Sequence, residues 1–354
     1  MKRHIFFIGT LRNGGAERVV SVLASQMAEQ GMNVEILTYY DKPVFYELSP
    51  KVTVTAVEKE TGTKGKIHNL RWIRTYFKKN AKVVISFLAP FNIMALAANM
   101  GNGIPIIVAD RNDPRMVPSN IVVRKLRDFL YMFADGIVLQ TEKNKEYFSK
   151  PEQKKSNVIY NPVNLKEYAG IALKTPKEKK IVTAGRLMPQ KNQKMMIRAF
   201  AVVLKIHSDY ELVIYGDGPS EMDLKSLIAE LGISANVSLP GNVKNLHNSI
   251  KSAEIFVLSS EYEGMPNALI EAMCLGLPAI STKVSGATDL IRHGQNGILV
   301  ELDDQAGFTH AMLDLIENQE LSAEISKNAV KLNEDLELSK IMNEWILFIS
   351  KVLS

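Results

Sequence analysis

A chain of 354 residues has room for two domains of roughly 100 to 200 residues each. With 46% hydrophobic and 23% charged residues, 21 Gly and 14 Pro, it is neither collagen-like, low-complexity nor disordered. The formal charge of +5 divides unevenly: residues 1–165 carry 24 Lys and Arg against 14 Asp and Glu, while the remainder nets −5, so the first half suits phosphates of nucleic acid, lipid head group or nucleotide, or else is an ordinary solvated surface.

The single cysteine, Cys274, excludes an internal disulfide and a Cys-pair zinc site. The six His, at positions 4, 68, 207, 247, 293 and 310, never take the spacing that sets two ligands on one helix face, so no metal is expected. Charge alone would allow nucleic acid, but no aromatic-rich recognition motif accompanies it, and no nucleic-acid partner is expected.

Residues 1–8 open with basic residues and a short apolar run, cut by Arg12 and without a small-residue cleavage site; they read as a first buried strand rather than a signal peptide. Apolar runs at 5–8, 34–37, 52–57, 83–87, 104–109 and 136–139 predict strands. Helical patterns lie between them at 16–29, with Val19, Val20, Leu23 and Met27 on one face, and at 122–132. The apolar stretch 89–100 carries Asn92 and Asn99 and falls short of the roughly 20 residues of a membrane span.

From 161 to about 178 the apolar runs stop and Pro, Lys and Gly accumulate, which predicts a linker and domains at 1–165 and 166–354, the last helix able to pack back on the first. Strands then follow at 180–184, 211–215, 236–239, 255–258, 278–281 and 297–300, with helices at 191–205, 220–231, 267–275 and 305–315. Such alternation implies parallel sheets covered on both faces. The expected fold class is α/β: two doubly wound, Rossmann-like domains facing each other across a cleft beyond the carboxyl ends of their strands.

Four segments carry chemistry. Residues 261–271, Glu-Tyr-Glu-Gly-Met-Pro-Asn-Ala-Leu-Ile-Glu, follow a strand and open a helix, with Pro266 fitting the first helical position. The N–H groups of Asn267 and Ala268 then suit a phosphate. Glu263, in the loop, and Glu271, about one turn inside the helix, offer carboxylates to vicinal sugar hydroxyls; the alternative is that Glu263 merely favours the positive helix end and Glu271 is solvated. Residues 185–192 place Arg186 and Lys191 at a strand's carboxyl end, where a guanidinium fork and an ammonium neutralise a diphosphate without a metal. No Asp-x-Asp pair stands in for them, and the alternative is a plain basic loop.

The turn 9–18 contains Gly14 and Gly15, which let a phosphate or sugar approach the backbone, or else form a tight turn with no ligand. It is not Gly-x-Gly-x-x-Gly, and Thr38-Tyr39-Tyr40 rather than an acid ends the second strand, which argues against a nicotinamide cofactor. Residues 64–82 hold Lys64, Lys66, Arg71, Arg74, Lys78, Lys79 and Lys82, no acid, and Leu70, Trp72, Ile73, Tyr76 and Phe77 interleaved. As a helix this segment is basic and amphipathic, fit for an anionic membrane surface or a pyrophosphate-linked lipid, or else it packs on its sheet with a solvated basic face.

In chain order, Gly14-Gly15-Ala16-Glu17-Arg18, Asn161-Pro162-Val163, Gly185-Arg186 with Lys191-Asn192, and Glu263 with Glu271 seven residues between resemble the retaining glycosyltransferases of two-Rossmann (GT-B) architecture, family 4. The resemblance covers nearly the whole chain. It implies transfer of a sugar from a nucleotide-sugar donor, UDP being the commonest, with configuration retained and without metal or other cofactor. On it, Arg186 and Lys191 bind the diphosphate, Glu271 the ribose hydroxyls and Glu263 the transferred sugar. Gly264, Met265, Pro266, Asn267 and Ala268 supply backbone contacts, and Val243 lies where the base is held. Arg111 stands after the fifth strand where many relatives have His, with Asp110 beside it as a possible ion-pair partner.

The resemblance further implies a lipid-linked glycan acceptor of capsule, O-antigen or exopolysaccharide type and a cytoplasmic enzyme peripheral at the inner face of the membrane. Two other readings share the architecture. A nucleotide-sugar epimerase is disfavoured by the paired glutamates and the basic pair, and a non-catalytic two-lobed sugar-binding protein by the want of an export-type opening.

Overall fold

The computed structural model describes residues 2–57, 62–163, 169–243 and 245–354, and of residues 62–64 and 66 the backbone only. The chain forms two compact units, Met1–Pro162 with Leu338–Ser354, and Val163–Glu337. The expected domain boundary at 165/166 lies outside the described residues.

The first unit holds seven strands: β1 (Arg3–Ile8), β2 (Val34–Thr38), β3 (Thr53–Ala56), β4 (Ala81–Phe87), β5 (Ile106–Ala109), β6 (Gly136–Leu139) and β7 (Ser156–Val158). They pair in parallel in the order β3-β2-β1-β4-β5-β6-β7. Period-2 side-chain alternation decides which helices cover which face. Ile5 and Phe7 of β1 share a core with Ile73, Phe77, Ala95, Leu96, Leu130 and Tyr131, from the helices Gly62–Asn80, Ala89–Asn99 and Ile121–Tyr131. Phe6 and Ile8 point the other way, into a core with Val19, Val20 and Leu23 of Gly15–Glu29 and with Ile341, Met342 and Trp345 of the final helix Leu338–Leu353.

The second unit has six parallel strands: β8 (Glu178–Ala184), β9 (Glu211–Tyr215), β10 (Val237–Gly241), β11 (Ala253–Leu258), β12 (Ala279–Thr282) and β13 (Ile298–Val300), in the order β10-β9-β8-β11-β12-β13. In both sheets the order reverses beside the first strand, between β1 and β4 and between β8 and β11. Ligands of open parallel sheets bind at such a switch point, outside the carboxyl ends of the strands.

Several expectations are corrected in detail. The helix expected at 191–205 is a short 3₁₀ turn, Pro189–Lys191, followed by Gln193–Val203; Asn192 between them is left-handed at φ 45°, a region Asn tolerates better than most residues. Pro266 is the N-cap in extended backbone, and the helix begins at Asn267. The basic segment is helical over Gly62–Asn80, so Lys82 falls in β4. The linker region contains a helical turn, Ile171–Lys174, and β8 begins at Glu178. Strand β7 was not foreseen, because Ser156-Asn157-Val158 offers no apolar run.

Candidate functional site

Within the second unit, the loops that leave β8 and β11 are neighbours because those two strands are hydrogen-bonded to each other. They are laced together: Glu261 N–H donates to the Gln190 carbonyl at 2.8 Å, Gln190 Nε2 to Tyr262 O at 2.7 Å, and Ser259 Oγ to Lys191 O at 2.8 Å. Across this seam Lys191 Nζ pairs with Glu263 Oε1, their side chains only 18% and 10% exposed. Ser260 Oγ donates to the same carboxylate oxygen at 2.7 Å, and Ser260 O accepts from Thr282 Oγ1 at 2.6 Å. The two motifs that sequence spacing had singled out separately therefore form one ionic constellation, with a carboxylate fixed by an ammonium and a hydroxyl.

Glycine shapes the seam where backbones approach. Gly216 sits at φ 133°, and a Cβ there would lie 2.0 Å from Gly185 O. A Cβ on Gly286, at the start of the helix Ser285–Leu290, would lie 1.9 Å from Gly264 O, so only glycine lets that helix abut the loop of Glu263. A depression beside the seam is lined by Gly185, Lys191, Gln193, Leu258 and Ser259.

Arg186 is exposed at the mouth of the β8 loop, its carbonyl accepting from Gln193 Nε2 at 2.9 Å. Gly264, Met265 and Pro266 are buried, while Asn267 and Ala268 at the helix start are half-buried. Glu271 is buried in the helix Asn267–Leu275 rather than solvated. Val243 is half-buried just past β10, and Gly216 N–H donates to Gly241 O at 2.9 Å, which brings that segment beside the β9 end.

In the first unit the turn after β1 leads into Gly15–Glu29 with Gly14 as N-cap. The hydroxyl of Tyr46 accepts from Gly14 N–H at 3.3 Å and donates to Gly14 O at 3.0 Å. Arg111, after β5, is buried. Its guanidinium lies 4.7 Å from the Phe87 ring centroid and 5.6 Å from that of Trp345, and Nη1 donates to Asn161 Oδ1 at 3.0 Å. Its Nε and Nη2 have no partner among the described residues. The partner anticipated for it is engaged elsewhere: Asp110 faces Arg127 at 3.7 Å and accepts from Tyr131 Oη at 3.3 Å. Burial pushes Asp110 up to about 6, with Arg127 opposing.

Of the basic helix, Arg71, Lys78 and Lys79 are exposed. Arg74 is occupied, its Nη1 donating to the carbonyls of Ala98 and Met100 at the end of the neighbouring helix. The side chain of Lys66 lies outside the described residues. Sequence reasoning missed Ser260, Gly286 and the Arg111 partner Asn161; the last was visible only as part of the Asn-Pro-Val triplet. No cluster of three or more His, Cys, Asp or Glu suited to a metal occurs among the described residues, and no described helix is long and apolar enough to cross a membrane.

Comparison with known proteins shows what the chain is similar to. Residues 166–332 match glycosyl transferases group 1, and residues 13–167 match glycosyltransferase family 4. The chain is 29% identical to the GalNAc-alpha-(1->4)-GalNAc-alpha-(1->3)-diNAcBac-PP-undecaprenol alpha-1,4-N-acetyl-D-galactosaminyltransferase of Campylobacter jejuni, over 99% of each chain. It is 22% identical to the amylovoran biosynthesis glycosyltransferase AmsD of Erwinia amylovora, over 96% of this chain and 97% of that one. Among solved structures it superposes on HepE of Anabaena in complex with UDP, with a TM-score of 0.82 and 17% identity, over 99% of this chain and 100% of that one. Sucrose-phosphate synthase of Thermosynechococcus elongatus gives 0.85 at 17% identity over 99% of both. The chain is thus a glycosyltransferase of the two-Rossmann GT-B fold, related to glycosyl transferases group 1 in its second half and to glycosyltransferase family 4 in its first.

Proposed function

We propose that this glycosyltransferase moves a sugar from a UDP-sugar, with retention of configuration and without a metal, to a lipid-linked glycan at the surface of an anionic membrane. The observation that carries the donor half of the reading is the Lys191–Glu263 pair at the β8/β11 switch point, with Arg186 exposed beside it. Negative charge grows on the diphosphate as the sugar leaves, and a cation fixed beforehand, as Lys191 is by Glu263, stabilises that charge more than it stabilises the ground state, with the exposed Arg186 adding a second cation. Lys191 uses one of its three N–H donors on Glu263, which leaves two for phosphate oxygens. The helix beginning at Asn267 adds N–H groups and the positive end of its dipole.

Glu263, already aligned by Lys191 and Ser260, accepts from hydroxyls of the transferred sugar, and Glu271 takes the ribose. The segment of Val243 borders the base. Arg111, with two unfilled donors in a dry setting, supplies hydrogen bonds to an oxygen of the reacting sugar. The acceptor half rests on the undecaprenol-linked substrate in the name of the Campylobacter relative and on the cationic first half of the chain.

The test is ligand protection followed by turnover. UDP and UDP-sugars should raise the melting temperature more than GDP and its sugars, since ligand at 100 times its dissociation constant adds about 2.7 kcal/mol. EDTA should leave sugar transfer intact. Protection by GDP alone, or activity lost to EDTA and restored by Mg²⁺, would overturn the donor or the metal-free chemistry respectively.

A further inference from the structure

Phe87 and Ala109 end β4 and β5 and are paired across the sheet, so Arg111, two residues beyond Ala109, emerges beside the Phe87 ring. Trp345 reaches the same place from the middle of the last helix, Leu338–Leu353. It shares one core with Phe87 and Ala109, its ring 5.8 Å from that of Phe87 and inclined to it by 22°. Phe87 and Trp345 are wholly buried, and Arg111 is 7% exposed. With its Cζ 4.7 Å from the Phe87 centroid and 5.6 Å from that of Trp345, the guanidinium stands within cation–π range of both rings.

Tryptophan is a costly choice for this core position. A buried indole normally finds an acceptor for its N–H, whereas Nε1 of Trp345 has none among the described residues, and a desolvated donor left over disfavours the fold. Leu or Phe would fill an apolar site without that penalty. What Trp offers beyond them is the best ring face for a cation, and a buried cation lies against it. Burial disfavours the charge on Arg111, with the Asp110 carboxylate opposing, and the ring faces act in the same sense as the carboxylate. They differ from an acceptor in one respect: a face attracts the guanidinium without occupying any of its N–H groups. Nη1 donates to Asn161 Oδ1 at 3.0 Å, while Nε and Nη2 have no partner among the described residues. One hydrogen bond at Nη1 does not fix the whole fork, and the rings supply the restraint that it lacks.

We propose that Trp345 is a positioning residue for recognition of the donor sugar: its indole face, together with Phe87, holds the Arg111 guanidinium in place while leaving Nε and Nη2 for an oxygen of that sugar. The inference rests on the role of Arg111 under the proposed function and deepens it. Asn161 stands just before the first unit gives way at Pro162, and Trp345 comes after the chain returns at Leu338. Both restraints on Arg111 are therefore contributed from the segments by which the chain leaves and re-enters its unit, and the last helix, for which the sequence suggested packing alone, takes a share in selecting the sugar.

The experiment weakens the ring face at nearly constant shape. Stop-codon suppression at position 345 of the full chain introduces mono-, tri- and tetrafluorotryptophan, which withdraw charge from the face in steps, and the same series is made in an Arg111→Met background. Calorimetry then gives the dissociation constants of free UDP and of UDP-glucose, UDP-N-acetylglucosamine and UDP-N-acetylgalactosamine. Arg111→Met should weaken the UDP-sugar that binds best by about tenfold or more and leave free UDP unchanged, since UDP lacks the group that Arg111 meets. Fluorination should weaken that UDP-sugar progressively, by about threefold for the tetrafluoro ring, again with free UDP unchanged, and should have no effect in Arg111→Met. A parent that binds none of the three UDP-sugars, or an Arg111→Met variant that binds them as tightly as the parent, overturns the role given to Arg111 and this inference with it. An Arg111→Met variant that binds more weakly while the fluorinated proteins bind like the parent overturns this inference alone. So does a fluorination effect that is as large for free UDP, or one that persists in Arg111→Met, because either marks a packing contact with no bearing on the sugar.

Discussion

Replacing Lys191 by Met removes the ammonium that pairs with Glu263 and leaves the carboxylate with Ser260 Oγ at 2.7 Å. Breaking a fully buried ion pair by removing one partner costs about 3–5 kcal/mol, and an exposed pair about 0–1 kcal/mol. With the two side chains 18% and 10% exposed, the pair lies nearer the buried limit, and the retained hydroxyl bond lowers the loss to about 2 kcal/mol. In a unit of this size that is a fall in melting temperature of about 4–8 °C. Glu263→Gln should cost about 1 kcal/mol, since the ammonium it frees is the more solvated partner and the amide oxygen still accepts from Ser260. The double variant strands no charge, so it should be more stable than the sum of the two losses by about 1–2 kcal/mol. The assay is a double-mutant cycle by urea unfolding, with sugar transfer measured on the same four proteins. Recovery of stability without recovery of transfer separates the structural role of the pair from its proposed role toward the diphosphate. Additive losses, within about 0.5 kcal/mol, would show that the two side chains are not coupled and would remove the argument that Lys191 orients Glu263.

Gly286→Ala should cost about 1–3 kcal/mol by overpacking and slow transfer further than this loss explains, because the new Cβ, 1.9 Å from Gly264 O, must displace the loop of Glu263; normal turnover in a folded variant would refute the dependence. The carboxyl of Asp110, pushed up to about 6 by burial from about 3.9 in an unfolded chain, binds more proton folded than unfolded between those values. Its contribution therefore favours the fold most below about pH 4 and is lost as pH rises through about 6. Melting curves of the parent and Asp110→Asn should accordingly converge or cross between pH 4 and 6.5 and run parallel above 7, and curves parallel throughout would refute the shift.

The sheets were legible because their strands are buried on both faces and read as continuous apolar runs, such as Ile5 to Ile8 and Ile255 to Leu258, and because Gly and Pro punctuate them. Strand β7 was not, since an edge strand of Ser, Asn and Val has one neighbour and little to bury. Candidate site residues whose chemistry lies in their side-chain type, Arg186, Lys191, Glu263 and Glu271, could be singled out from spacing and given roles only through the family resemblance. Ser260 and Gly286 could not, because their importance is relational: one hydroxyl supports one carboxylate oxygen, and one missing Cβ lets two backbones meet.

The residues after β5 show how such relations set a side chain's surroundings. Sequence left Asp110 free to pair with Arg111, which would have made both structural. Instead the Asp110 carboxylate faces Arg127 and Tyr131 and reaches Arg111 through its backbone N–H and by charge, while the Arg111 guanidinium bonds one amide oxygen and lies against two aromatic faces. Gln140 Nε2 donates to that same Asn161 oxygen at 2.8 Å, so the Arg111 bond is shared. Burial disfavours the charge on Arg111, yet guanidinium does not give up its proton in proteins. Its desolvation is therefore offset in part by the nearby Asp110 charge and by the faces of Phe87 and Trp345. On the proposed function, a guanidinium whose Nε and Nη2 bond no carboxylate offers an incoming oxygen hydrogen bonds that the protein need not first break. Arg111 Nε and Nη2 are thus donors without a partner among the described residues, and on the proposed function they are the ones offered to the reacting sugar.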